Sequence, residues 1–238
     1  VGPVILADLE VFHSRPIAPT RRVALGRADL PVSPAPGFGG ILLGGIVAAN
    51  IGGLAPELFD DLHRLTLQLQ DGRRIPQPRL RYRFQEDRVG LTRSVHRLVG
   101  DGEELVFDLD TRAAPAQNVL AAVYAAGQLV VGARGPVMAS IRKAMGWSGP
   151  LDRSLVAHLA GLDRGSRMGT LALGDPVAWA LGVLELTTHE DSPPDRVAVQ
   201  RRFREMLRDA HPDHGGAAEG AAARIAELTE ARRILLAG

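Results

Sequence analysis

Residues 193–216 limit the fold more than any other stretch. Val199, Phe203, Met206, Leu207 and Ala210 recur at helical spacing and form one apolar stripe. Arg201, Arg204 and Arg208 fall on the opposite face. Ser192 is placed to cap the helix, Pro193 suits its first position, and Asp195 stands where a capping-box acid belongs. The helix must stop near His211, because Pro212 biases the residue before it away from the α region. Gly215-Gly216 end any remaining helical pattern. A second apolar helix follows, in which Ile225, Leu228, Ala231 and Leu235 repeat at helical spacing. An antiparallel pairing would bury Phe203 against Ile225 and Leu228.

The combination is a helix with a basic outer face, His211-Pro212-Asp213 at its end, a glycine-rich loop and a second apolar helix. It resembles the J domain, the module by which DnaJ-type co-chaperones engage DnaK-type ATP-driven chaperones. Leu181-Gly182-Val183, closing a short first helix, extends the likeness over Asp175 to Gly238, and the whole chain resembles actinobacterial-type J-domain proteins. The sequence departs from the family's pattern at several points. The segment from Val183 to Val199 is long, Glu205 and Asp209 replace residues that are often basic, and Arg232 replaces a buried aromatic. Trp179 lies one position off the usual aromatic of the first helix.

The resemblance implies a chaperone-binding surface made of His211, Pro212, Asp213, Arg201, Arg204 and Arg208, with Gln200 and Arg202 at its flanks. Pro212 would fix the loop and His211 would donate from its ring. Asp213 would offer a carboxylate to a cationic partner, and the arginines would steer an acidic surface into register. It further implies that ATP hydrolysis occurs in the partner, so the expected catalytic set is none and the chain is not expected to be an enzyme.

Composition narrows the alternatives. The 238 residues carry a formal net charge of +1, so no global field favours nucleic acid or membrane. There is no cysteine, which excludes disulfides and Cys-ligated zinc. Val1-Gly2-Pro3 opens without a basic n-region, so no signal peptide is expected and the expected location is cytoplasmic. Gly37 to Ala55 contains no charge, but its seven glycines and Asn50 favour a buried helix over a membrane span, with Ile41, Leu42, Ile46 and Val47 in the core.

The rest of the chain reads as strands at Pro3 to His13, Arg22 to Leu25 and Leu105 to Asp110. Helices are expected at Pro56 to Gln70, Ala116 to Ala126, Pro136 to Trp147 and Leu151 to Ala160. The expected fold class is therefore mainly α. An α-rich N-terminal domain with a minor β element covers 1–162, a linker covers 163–174, and an antiparallel helical-hairpin J domain covers 175–238.

Arg73 to Arg97 holds eight arginines with Tyr82 and Phe84 interleaved, a composition that can bind single-stranded nucleic acid. Glu86, Asp87 and Asp101 dilute it, and a solvated face of an arginine-rich chain is the plainer reading. Ser94 with His96, and Ser154 with His158, lack a nucleophile-elbow pattern and are read as packing or surface residues. His211 and His214 stand at i and i+3, but Pro212 breaks the helix that would align their rings, so no metal is expected. No phosphate loop is present and no cofactor is expected.

The reading is a co-chaperone or adaptor that recruits a DnaK-type ATPase, with a client protein held by the N-terminal domain. The competing reading is a non-catalytic interaction protein with a degenerate J domain, whose Arg-rich N-terminal face binds nucleic acid or protein.

Overall fold

The computed structural model describes residues 3–15, 21–33, 35–101, 104–161, 176–186, 195–210 and 221–237. Five strands, β1 (Val4–His13), β2 (Arg22–Asp29), β3 (Arg83–Phe84), β4 (Thr92–Asp101) and β5 (Glu104–Leu109), form one mixed sheet in the order β3-β2-β1-β4-β5. This overturns the expected mainly α fold with a minor β element, since the N-terminal region is rich in strand. Sequence reading missed the two-residue β3 and the longer β4. The inward positions of β4 are Ser94, His96 and Leu98, and its outward positions include Arg93 and Arg97. Two polar residues on the buried face erase the apolar–polar alternation by which a half-buried strand is recognised.

The chain divides into two compact units. One comprises Ala7–Leu98 and Phe107–Asp163. In it β1 and β2 pair antiparallel, with Val11 opposite Leu25 and His13 opposite Val23, and β2 pairs parallel with β3. Its helices are α1 (Gly37–Ile51), α2 (Phe59–Gln70, after a 3-10 turn at Pro56–Leu58), α3 (Pro115–Gly127), α4 (Val131–Met145) and α5 (Arg153–Ala160). Helix α1 packs against α3, α4 and α5 and is buried over most of its length, with Ile41, Leu42, Ile46 and Val47 all in the core. Among the described residues no helix is long and apolar enough to cross a membrane.

Glycine lets α1 pack this closely. A Cβ on Gly45 would stand 2.1 Å from Cε1 of Phe107, so alanine there must displace the ring. The expected cost of Gly45→Ala is about 1–3 kcal/mol, the usual range for overpacking a core. Urea unfolding of the variant beside the native chain measures it, and an unchanged midpoint would mean that Phe107 moves aside freely.

Arginines of the Arg73 to Arg97 stretch are largely engaged in ion pairs. Arg79 binds Asp61, Arg81 binds Glu57 at 2.8 Å, Arg93 binds Glu10, and Arg97 lies 3.3 Å from Asp108. Phe84 stacks on Tyr124 of α3 at 3.9 Å, and Gln77 donates to the Tyr124 hydroxyl at 2.7 Å, which holds this loop on the helix.

The second unit comprises Val1–Leu6, Val99–Val106 and Arg164–Gly238. Among the described residues its helices are α6 (Pro176–Val183), α7 (Arg196–Ala210) and α8 (Ala221–Ala237). The expected C-terminal helical-hairpin arrangement is overturned as the fold class: the described residues form a five-stranded mixed sheet with eight helices. Within this unit α8 packs against both α6 and α7. Trp179, Leu184, Val199, Phe203, Leu228, Ala231 and Ile234 are buried there, the burial expected of helices with one apolar face. The expected linker at 163–174 lies outside the described residues.

Candidate partner-binding face

Helix α7 begins later than its sequence suggests. Ser192 and Pro193 lie outside the described residues, and within them Asp195 is the cap, its carboxylate accepting from the N–H of Val197 at 3.0 Å. Val199 and Phe203 turn inward, while Arg201, Arg204 and Arg208 are exposed. They are spaced i, i+3 and i+7 and therefore share one side of the helix. Among the described residues, a depression of about 530 Å³ is lined by these three arginines with Val197, Gln200 and Glu205.

The flanking residues differ from one another. Gln200 is half-buried and lines the depression. Arg202 faces elsewhere. It donates to the Leu184 carbonyl at 3.2 Å, pairs with Glu205 at 3.3 Å and binds Glu185 in the turn after α6. Glu205, then Glu185, hold its guanidinium firmly charged. Arg202 thus ties α7 to the end of α6 instead of adding to the basic face. The same pairing engages Glu205, one of the two acids that depart from the family's basic pattern. His211, Pro212 and Asp213 lie outside the described residues.

Further arginines close the bundle. Arg224 donates to the Val183 carbonyl at 3.3 Å, Arg196 to the Leu236 carbonyl at 3.1 Å, and Arg233 to the Leu6 carbonyl at 2.5 Å. Arg232 lies over the ring of Phe203, 4.9 Å from its centroid. A cation on an aromatic face can do part of the packing that an aromatic residue at that position would do.

The serine–histidine pairs considered from sequence are arranged differently from either catalytic pattern. Ser154 bonds Asp152, which caps α5, while His158 lies against Trp147 with 5.1 Å between ring centroids. Ser94 hydrogen-bonds His13 at 2.8 Å, not His96. His13 has no partner on Nδ1, where the orienting acid of a triad would sit. Both partners are buried, Ser94 completely. His13, Ser94, His96 and Asn118 instead form a buried polar cluster contributed by β1, β4 and α3.

Gln117 ties the start of α3 to the end of β1 and the start of β2. Its carbonyl accepts from the N–H of Ala114 at 2.9 Å, and its amide donates to the carbonyls of Ser14 and Arg22, both at 3.1 Å. Both ring nitrogens of His96 are left without a hydrogen-bond partner, as are Nδ1 of His13 and the carbonyl oxygen of Asn118. Leaving such a group unsatisfied costs about 1–3 kcal/mol. Sequence reading placed His13 on a strand but did not assign it to the core. The signal was its two-residue spacing from Leu9 and Val11, which puts it on their face.

Among the described residues no group of three or more His, Asp or Glu is placed to hold a metal ion. The positively charged α7 face, with the depression along it, is the candidate surface for recognition. Comparison of the whole chain with known proteins finds no matching family model, no matching curated protein and no matching solved structure.

Proposed function

We propose that the chain is a co-chaperone or adaptor that engages a DnaK-type ATPase through α7 and the His211-Pro212-Asp213 segment following it. The observation that carries this reading is the exposed side of α7, with Arg201, Arg204 and Arg208 directed away from the buried Val199 and Phe203. In support, Arg202 bonds the end of α6 and fixes which side of α7 is turned outward. The partner's acidic surface would be met by three guanidinium groups, each a planar fork suited to a carboxylate. A client would be held by the Ala7–Leu98 and Phe107–Asp163 unit.

The test is ATP hydrolysis by the same organism's DnaK-type chaperone under single-turnover conditions. The purified full chain is expected to accelerate it. Arg204→Ala is expected to slow association, and the deficit should match that produced by salt in the native protein, because exposed charges are screened beyond about 8 Å at 0.15 M. No acceleration by the native chain would remove the reading. A salt-insensitive native rate would remove the steering role of the arginines.

A further inference from the structure

We propose that His96 is an acid-responsive latch in the Ala7–Leu98 and Phe107–Asp163 unit: on taking a proton, its imidazolium can no longer stay sealed between β4 and α3, and the layer opens there. This does not rest on the chaperone reading. The geometric basis is complete burial together with the lack of any hydrogen-bond partner on either ring nitrogen. A neutral imidazole tolerates that environment, whereas an imidazolium needs two acceptors or water.

The groups around it supply one acceptor at most. From α3, Asn118 stands beside the ring; its amide nitrogen already donates to Asn50 at 3.1 Å, and its carbonyl oxygen, otherwise without a partner, is the one acceptor that favours a proton on His96, which leaves the second ring N–H of an imidazolium uncompensated. On β1, His13 is a second potential cation, committed to Ser94 through Nε2. Asp110, after β5, attracts a proton toward both histidines, but Arg112 binds that carboxylate at 2.9 Å and holds it ionised well below the usual carboxylate range. Asp108, on β5, is exposed and adds a smaller attraction. Burial outweighs these influences and lowers the proton affinity of His96, and it lowers that of His13 as well.

The sign follows. Each histidine binds a proton more weakly in the closed state than in the open one. The stability of the closed layer is therefore fully present above the ordinary histidine value of 6.5 and falls as pH drops below it, down to the folded-state value.

Hydrogen exchange of the full chain between pH 7.5 and 5.0 tests the latch, with rates corrected for the chemical pH dependence. In the peptides covering β4 and α3, opening is expected to rise about tenfold per pH unit for each histidine protonated on opening. His96→Leu should remove one such factor, and the exposed His63→Gln should behave as native. A rise that is unchanged in His96→Leu, or no rise in the native chain, overturns the proposal. Should His96→Leu fail to fold, the ring nitrogen shifts of His96 in the native chain decide. A ring that stays neutral until the layer opens supports the latch, and a charged ring in a closed layer overturns it.

Discussion

Asp213→Asn is expected to reduce acceleration of the chaperone ATPase to the rate of the chaperone alone. The substitution keeps the size of the side chain and removes its charge, so it separates recognition from packing. On the reading proposed above, the carboxylate meets a cationic group of the partner. A charge-assisted bond of that kind has no equivalent in a neutral amide. A change in recognition alone leaves stability within about 0.5 kcal/mol of the native chain. Single-turnover hydrolysis and thermal melting of the same preparation give both quantities. Native-like acceleration by the asparagine variant would leave the α7 segment a structural element and require another partner for its basic face.

Phe203→Ala carries the largest expected loss of stability, about 3–5 kcal/mol. Phe203 is only 8% exposed, and its ring also supports the Arg232 guanidinium at 4.9 Å. Truncation removes both the buried ring and the surface on which Arg232 rests, while Nε of Arg232 already lacks a partner. A loss of this size is a large part of the roughly 5–15 kcal/mol available to a domain. Because the chain has two units, the measurement should be local. Trp179 lies in the same unit as Phe203 and Trp147 in the other, so urea unfolding followed by fluorescence in a Trp147→Phe background reports the correct transition. An unchanged midpoint would place Phe203 outside the core.

The sequence determined local structure wherever one periodicity dominated. The apolar stripe of Val199 and Phe203, the opposed arginines and the buried glycine-rich α1 were legible because each depends on spacing within one helix. β1 was legible through the alternation of Leu9 and Val11. The sheet was not, because β4 turns Ser94 and His96 inward and its strand character appears only when β1 and α3 supply polar neighbours. The arginines of the 73–97 stretch are mostly exposed, as read from sequence, but their pairing with Asp61, Glu57 and Glu10, distant in sequence and close in space, was not legible. Arg202 illustrates the limit at the site itself. Helical spacing puts it beside Arg201, but its direction is set by the carbonyl of Leu184 and the carboxylate of Glu185, 17 residues or more away. Periodicity fixes which side of an element is apolar. Which polar side chains become buried, paired or free is decided by long-range contacts, which only the tertiary structure contains.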